Sequence, residues 1–170
     1  MITRLETERL ILRKPIPADY PAMERFYLDD RSKYIRAEAE IGKAWRSFAM
    51  FFGHWDIKGF GLLALTLKGD NTAFGMAGPY DPADWPEPEL GWSLWDAAYE
   101  GKGYINEAIT AIRAHLYRDC GWTTVVSYID PENARSIAAA ERLGCVLDAD
   151  AARPAPEDLV YRHPGPEALL

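Results

Sequence analysis

Residues 100–109 read Glu-Gly-Lys-Gly-Tyr-Ile-Asn-Glu-Ala-Ile, and this is the most informative segment of the sequence. It follows a candidate strand at Glu89–Trp95, in which Leu90, Trp92 and Leu94 alternate with polar or small residues. It continues as a candidate helix to residue 120, whose apolar positions recur at spacings of three and four. A strand, a glycine-rich loop and a helix start place several backbone N–H groups and the positive end of the helix dipole at one point. The sequence therefore predicts a phosphate-binding loop here.

Two common phosphate loops do not match this stretch. The Walker loop needs Gly-Lys followed by Ser or Thr, whereas Gly101-Lys102 is followed by Gly103. The dinucleotide pattern GxGxxG fails because Asn106 stands at the place of its third glycine. Both a Walker-type nucleotide site and a Rossmann dinucleotide site are therefore excluded.

The rest of the chain alternates candidate strands and helices. The candidate strands are Arg9–Arg13, Gly59–Leu67, Thr72–Tyr80, Glu89–Trp95, Thr123–Ile129, Cys145–Leu147 and Leu159–Tyr161. The tight turn at residues 68–71 predicts that the second and third of these form an antiparallel hairpin. Apolar periodicity predicts helices ending near Leu28, at Ala44–Trp55 and at residues 104–120. Asp130 as N-cap and Pro131 as first helical residue predict a further helix that ends near Leu143, before Gly144.

Length and composition limit the function classes. The 170 residues carry 19 basic and 26 acidic side chains, a net charge of −7. We expect one domain over residues 1–170 and no nucleic-acid partner, so an anionic ligand must be held locally. No apolar run approaches the roughly 20 residues of a membrane span. The widely separated Cys120 and Cys145 indicate neither disulfides nor a metal site, so we expect a cytoplasmic protein without a membrane partner.

Four motifs in order resemble those of the GNAT superfamily of acetyltransferases, most closely its RimJ/RimL-like branch of ribosomal-protein N-acetyltransferases. TERLILRKP at residues 7–15 resembles the first strand of that branch, and ELGWSL at residues 89–94 resembles the strand before its cofactor loop. EGKGYINEAI at residues 100–109 resembles its pyrophosphate loop and helix. DPENARSIAAAERLG at residues 130–144 resembles the helix that flanks the pantetheine arm. Together the motifs extend over most of the chain.

The resemblance implies an α/β fold of the GNAT type. Its central, mostly antiparallel mixed sheet has six to seven strands and about four flanking helices, with a V-shaped gap between the fourth and fifth strands. It implies an N-acetyltransferase that moves the acetyl group of acetyl-CoA to a primary amine, either a peptide N-terminus or a small amine, by direct attack in a ternary complex. The alternative is a non-catalytic acyl-CoA-binding sensor or partner-binding module with the same fold.

The resemblance also implies site residues. Glu89 is the expected base, because an alkylammonium with a pKa of about 10.4 must lose a proton before it attacks a thioester. A backbone N–H of Trp92 or Ser93 is expected at the developing oxyanion, and Ser136, Tyr128 or solvent at the leaving thiolate. The expected acetyl-CoA contacts are Trp92, Ser93, Leu94, Lys102, Gly103, Tyr104, Ile105, Asn106, Asn133 and Ser136.

Three positions depart from the family pattern and motivate the non-catalytic alternative. Glu100 stands where Gln or Arg is usual, and Ala140 stands where many relatives have a tyrosine that protonates the thiolate. Ile105 stands where Gly or Ala is usual, so we expect it to crowd the pyrophosphate and weaken its binding. The candidate cations for a phosphate are Lys102, Arg135 and Arg142.

The acceptor and the oligomeric state have weaker signals. In this fold, acceptor selection is expected from the first helices and their loops, residues 27–55, and from the proline-rich residues 80–88. Trp85, Trp92 and Trp95 exceed what one core needs and leave room for a homodimer surface.

Overall fold

One mixed sheet organises the computed structural model, which describes residues 3–35 and 38–169. Among these residues the strands are β1 (Arg4–Glu6), β2 (Leu10–Arg13), β3 (Leu63–Leu67), β4 (Gly75–Tyr80), β5 (Glu89–Leu94), β6 (Val126–Ile129), β7 (Val146–Leu147) and β8 (Leu159–Arg162). Their spatial order is β1-β2-β3-β4-β5-β6-β8-β7, and every neighbouring pair is antiparallel except β5 and β6. The α-helices are α1 (Tyr20–Leu28), α2 (Ile41–Lys58), α3 (Tyr104–Cys120) and α4 (Ala134–Arg142).

The predicted α/β fold with four helices is present, but six to seven strands is an underestimate for the described residues. The additional strand is β1, which pairs with β2 at the sheet edge. It has three residues, of which only Leu5 is apolar, so no alternation marks it in the sequence. Gly59 is also not the start of a strand. It ends α2 with a φ of 73°, in the left-handed region that favours glycine.

Two apolar clusters cover opposite faces of the sheet. Leu63 and Leu65 of β3 belong to the larger cluster, together with residues of α3, whereas Ala64 between them belongs to the smaller cluster with residues of α1 and α2. Successive side chains of a strand point to opposite faces. The sheet therefore carries α3 on one face and the α1–α2 pair on the other.

The tryptophans that suggested a dimer surface make contacts within the chain. Trp92 packs against the larger cluster and Trp95 is buried in the smaller one. Trp85 donates a hydrogen bond from Nε1 to Glu89 Oε2 at 2.7 Å. Contacts within the chain therefore account for part of each of these side chains, and the homodimer stays a prediction.

The sheet opens between β5 and β6. The two strands run parallel, and over their described residues they pair at one position, Glu89 with Val126. The six residues of β5 are all paired with β4 on the other side. The predicted gap between these strands is therefore present, closed at Glu89 and open toward Leu94.

Candidate active site

A cavity of about 840 Å³ continues from the open end of this gap. Its walls are the end of β5, the start of α3, the first turns of α4 and the segment that follows α1. The predicted residues that line it are Trp92, Ser93, Leu94, Gly103, Tyr104, Ile105, Asn106, Asn133 and Ser136. Glu89 and Lys102 do not line it. The structure thus brings most of the predicted cofactor contacts to one cavity.

The start of α3 presents backbone donors to this cavity. Gly101 and Gly103 have φ values of 70° and 80°, which only glycine adopts readily, and they turn the chain from the loop into the helix. Gly103 is the N-cap and supplies no side chain as acceptor. The first N–H groups of a helix have no intrahelical partner. The amides of Tyr104, Ile105 and Asn106 are therefore placed to donate to an anion.

Residues 7–9 contact the predicted phosphate loop and α3. Glu107 in α3 accepts hydrogen bonds from Thr7 Oγ1 at 2.5 Å, from the backbone N–H of Arg9 at 2.9 Å and from Arg9 Nε at 2.6 Å. Arg9 Nη1 also donates to the carbonyl of Lys102 at 3.0 Å, and the guanidinium lies 4.5 Å from the ring centre of Tyr104. Thr7, Arg9 and Glu107 were absent from the predicted site, since a strand motif alone does not show what its side chains contact.

Two predicted contacts differ from expectation. Lys102 Nζ lies 5.7 Å from the ring centre of Tyr99, and Lys102 itself is not one of the residues that line the cavity. Ile105 borders the cavity, but its side chain is 9% exposed and belongs to the larger core cluster. Most of this side chain therefore packs into the core, which argues against the expected crowding, and its effect on binding stays a prediction.

Charged residues from three parts of the chain meet at the cavity. Arg31, which follows α1, donates from Nη2 to Glu100 Oε1 at 2.5 Å, and Arg135 Nη1 donates to the same oxygen at 2.8 Å. Arg142 is a further lining residue. Among the described lining residues, three arginines therefore outnumber one glutamate, which makes the cavity positive in a chain of net charge −7. Arg135 and Arg142 are among the predicted cations, whereas nothing in the local sequence of Arg31 marks it.

Glu89 occupies the closed end of the gap. Besides its hydrogen bond from Trp85, its carboxyl group lies against the backbone N–H of Tyr128 and over Gly91, where an added Cβ would stand 3.4 Å from Glu89 Oε1. The residue keeps some accessible surface, but its carboxyl group is enclosed by protein atoms. This burial raises the pKa of Glu89 to about 7, against the lowering effect of the two donors. Such a carboxylate can accept and release a proton near neutral pH.

Aromatic rings surround Glu89 on the α2 side of the sheet. Tyr80 is its pairing partner in β4, stacks on the His54 ring at 5.1 Å and meets the Trp85 ring edge-on at 5.5 Å. Burial, followed by the charges of Glu89 and Asp84, raises the pKa of Tyr80 to about 12. Both ring nitrogens of His54 are hydrogen-bonded to backbone groups, so this residue is a packing element. These rings are the apolar surroundings that desolvate Glu89.

The pairing of β4 and β5 shows which amides face the gap. Pro79 has no N–H and pairs with Leu90, so these two residues do not exchange hydrogen bonds and the N–H of Leu90 points away from β4. Every second residue of β5 has the same orientation. The N–H of Trp92 therefore points into the gap, whereas the N–H of Ser93 points toward Met76 in β4. Of the two candidate oxyanion donors, the geometry favours Trp92.

The first turn of α4 forms another wall of the cavity. Its N-cap is Asn133, whose Oδ1 accepts from the N–H of Ser136 at 3.3 Å. The prediction that Asp130 caps this helix is wrong, because Asp130 Oδ1 instead accepts from the N–H of Glu132 in the preceding turn. Asn133 and Ser136 both line the cavity. Since Asn133 Oδ1 is used by the cap, its amide NH2 is the group that can donate to a ligand.

Comparison with known proteins agrees with this geometry. Residues 9–146 match the family model of the acetyltransferase (GNAT) domain. The chain belongs to the GNAT family of acetyltransferases. The solved structure of an acetyltransferase from Agrobacterium tumefaciens strain C58 shares 38% sequence identity with this GNAT chain, covering 96% of it and 95% of the other protein, with a TM-score of 0.90.

More distant structures have the same GNAT fold. A protein from Bordetella pertussis described as a GNAT-family acetyltransferase shares 27% identity over 96% of this chain and 100% of its own, with a TM-score of 0.73. The RimL ribosomal L7/L12 alpha-N-protein acetyltransferase shares 14% identity over 96% and 93%, with a TM-score of 0.73. An identity of 14% shows a common fold and does not assign this GNAT chain to the RimL branch.

Residues 3–35 and 38–169 contain no group of three or more His, Cys, Asp or Glu side chains that could hold a metal ion. None of the helices formed by these residues is long and apolar enough to cross a membrane.

Proposed function

We propose that this GNAT chain is an N-acetyltransferase that moves the acetyl group of acetyl-CoA to a primary amine by direct attack in a ternary complex. The observation that carries the proposal is Glu89, a carboxyl group with a pKa of about 7 at the closed end of a gap whose open end meets the amides of α3. One domain over residues 1–170 would do this in the cytoplasm, which agrees with free Cys120 and Cys145. A peptide N-terminus is the first acceptor to test, because RimL, which has this fold, is an alpha-N-protein acetyltransferase. Small amines are the second.

The residues at the cavity fit acetyl-CoA. The amides of Tyr104, Ile105 and Asn106 suit a pyrophosphate, and the surplus of arginine favours a ligand with several negative charges. The gap beyond the cavity is bordered by the N–H of Trp92, and by Asn133 and Ser136 on α4. Polar donors along a narrow path suit the amide groups of a pantetheine arm.

The residues of the chain have distinct roles in this reaction. Acetyl-CoA supplies an activated thioester carbonyl when it is bound. Glu89 accepts a proton from the acceptor ammonium, directly or through one water, because a carboxyl group with a pKa of about 7 can ionise near neutral pH. The N–H of Trp92 stabilises negative charge on an oxygen in the gap. Ser136, which lines the cavity, is the proposed donor of a proton to the departing thiolate.

Isothermal titration with acetyl-CoA and, separately, with CoA tests the binding part of the proposal. Release of free thiol with a panel of peptides and small amines then tests turnover. We expect both ligands to bind and at least one amine to give thiol release that Glu89→Gln slows without weakening CoA binding. Absence of binding for both ligands would contradict the proposal.

One observation favours the alternative of a non-catalytic acyl-CoA-binding module. Ala140, where many relatives have a catalytic tyrosine, is fully buried in the larger core cluster, so α4 offers no phenol at this place. The two functions differ in their product, since a sensor binds CoA with no thiol release for any amine. Binding without turnover across the whole panel would therefore favour the alternative.

A further inference from the structure

Three polar side chains are buried beneath the point where β5 and β6 separate. Ser127 of β6 is 1% exposed, His163 after β8 is 3% exposed and Arg113 of α3 is 9% exposed. Burial of polar groups is unfavourable unless each finds a hydrogen-bond partner. Their surroundings are the apolar residues of the larger core cluster, and none of the three belongs to the cavity lining. Their place in the core therefore requires a structural or functional reason.

The three side chains form one directed chain of hydrogen bonds. Arg113 Nη1 donates to the carbonyl of Leu143 at 2.9 Å and lies 3.3 Å from His163 Nδ1, which must act as acceptor because a guanidinium has only donors. His163 Nε2 therefore carries the hydrogen and donates to Ser127 Oγ at 3.0 Å. The Ser127 hydroxyl in turn donates to the carbonyl of Leu90 at 2.6 Å. Burial, with a smaller effect of Arg113, lowers the pKa of His163 to about 3, which keeps the imidazole neutral.

This series of hydrogen bonds ends at the carbonyl of Leu90, which a regular parallel sheet would use as the acceptor of its next interstrand bond. Beyond the pair of Glu89 and Val126, the following bond of a parallel ladder would join the N–H of Tyr128 to the carbonyl of Leu90. Instead, this carbonyl accepts the hydroxyl of Ser127, and the N–H of Tyr128 lies against the carboxyl group of Glu89. At this position the carbonyl of Leu90 is bonded to a side chain instead of to the N–H of Tyr128, and no further pair of β5 and β6 follows.

We propose that Ser127, oriented by His163 and Arg113, is the spacer that keeps β5 and β6 apart and thereby a positioning residue for the pantetheine arm. The Ser127 hydroxyl bonds the Leu90 carbonyl in the place of the Tyr128 N–H, and the N–H of Tyr128 lies against Glu89. The inference rests on the proposed function only where it concerns acetyl-CoA. The separation of the two strands by Ser127 does not depend on whether acetyl-CoA binds.

The substitution Ser127→Ala tests the spacer, with Thr66→Val as matched control. Thr66 is also 1% exposed, and its hydroxyl donates to the carbonyl of Ile11 across the β2–β3 pair, far from the gap. Each substitution removes one buried hydroxyl-to-carbonyl bond, so both should lower the melting temperature. In Ser127→Ala alone, the carbonyl of Leu90 loses its donor, and we expect the N–H of Tyr128 to replace it so that the strands pair further.

We expect Ser127→Ala to raise the Kd of acetyl-CoA about tenfold or more, which corresponds to roughly 1.4 kcal/mol, and Thr66→Val to leave it within about twofold. The amide of Tyr128 should exchange with deuterium more slowly in Ser127→Ala than in the wild-type chain. Unchanged exchange at Tyr128 overturns the spacer role, whether or not acetyl-CoA binds. If the wild-type chain does not bind acetyl-CoA, the proposed function fails and the exchange measurement alone decides this inference.

Should Ser127→Ala not fold, His163→Gln is the second variant. Glutamine keeps an NH2 group that can donate to Ser127 Oγ, but its shape does not allow the simultaneous acceptor contact with Arg113. We expect a smaller loss of acetyl-CoA affinity and a smaller slowing of exchange at Tyr128. No change in either quantity would contradict the role of His163 in orienting the spacer.

Discussion

At the scale of single residues, the environment rather than the residue type sets the chemistry of the carboxyl groups. Glu89 is enclosed among aromatic rings, and burial raises its pKa to about 7. Glu107 is only partly buried. Burial by itself would raise the pKa of Glu107, but the hydrogen bonds from Thr7 and Arg9 outweigh this effect and hold the pKa below its usual value. The first group is therefore suited to proton transfer, and the second is a permanent anion that supports the loop.

The rate of acetyl transfer is expected to depend on Glu89 ionisation. A base acts only when it is deprotonated, so kcat/KM for the amine should rise with pH and level off above about pH 7. Glu89→Gln should lower kcat by about 100-fold or more and abolish this rise. The measurement is the pH–rate profile of thiol release at saturating acetyl-CoA. A wild-type profile with the same shape as that of Glu89→Gln would show that another group is the base.

Glu100 is expected to oppose phosphate binding. Its carboxylate lies between Arg31 and Arg135 at the cavity, where it neutralises cations that a diphosphate could use. Glu100→Gln removes the charge and should lower the Kd of CoA about fivefold, or roughly 1 kcal/mol, because the group is partly exposed. The control is Glu141→Gln, an equal change of net charge at an exposed position on α4. Weaker CoA binding in Glu100→Gln would instead indicate that Glu100 orients the two arginines.

At the scale of elements, the predicted phosphate loop is held by residues at the start of β2, which are distant in sequence. Arg9 immediately precedes β2 and is 98 residues from Glu107 in α3. Its four contacts fix both the helix and the carbonyl of Lys102. The TERL motif is therefore part of the support of the loop as well as the beginning of a strand.

Removal of this support is expected to weaken CoA binding without changing the chemistry. Arg9→Ala should raise the KM of acetyl-CoA about tenfold, since the loop amides lose their fixed orientation, and leave kcat within about twofold. The control is Arg4→Ala, because Arg4 makes an exposed ion pair with Glu6 in β1. Steady-state kinetics on both variants measure the difference. Equal effects of the two substitutions would refute a special role of Arg9.

At the scale of the whole molecule, two buried groups give opposite pH dependences of stability. The folded state holds a proton on Glu89 up to about pH 7, whereas in the unfolded chain Glu89 ionises near 4.5, so its contribution is lost as pH rises through this range. His163 has a folded pKa of about 3 and an ordinary value of 6.5, so its contribution is lost as pH falls below 6.5. Between about pH 4.5 and 6.5 the two effects oppose each other.

Urea unfolding at several pH values should separate these contributions. Glu89→Gln removes the first, so its free energy of unfolding should fall more steeply than that of the wild-type chain as pH decreases from about 7 to 5. His163→Gln removes the second, so its stability should fall less over the same range or increase. The wild-type curve should lie between them. Parallel curves for the three proteins would show that neither group has the stated pKa in the folded state.

Some parts of this protein follow from the sequence by itself. The loop at residues 100–109 is local: Gly101 and Gly103 permit left-handed backbone, and the helix that follows supplies its own unpaired amides. Among the described residues, the approximate positions of the helices and of the strands other than β1 also follow from local signals: apolar periodicity and β-forming residues for most of them, and Pro131 and Gly144 for α4. Prediction from the sequence fails where two local solutions compete. Asp130 and Asn133 are both good N-cap residues and are three positions apart, and it is Asn133 that caps α4.

Other parts were decided only by the tertiary structure, because they depend on which side chains meet across the sheet. The carboxyl group of Glu89 is visible in the sequence, but the pKa of this group depends on rings and donors contributed by β4, β6 and the loop before β5. Ser127 and His163 are 36 residues apart and meet only because β8 pairs with β6. Local propensity specifies the backbone of each element, whereas burial and hydrogen bonding between distant residues specify the chemistry of the site.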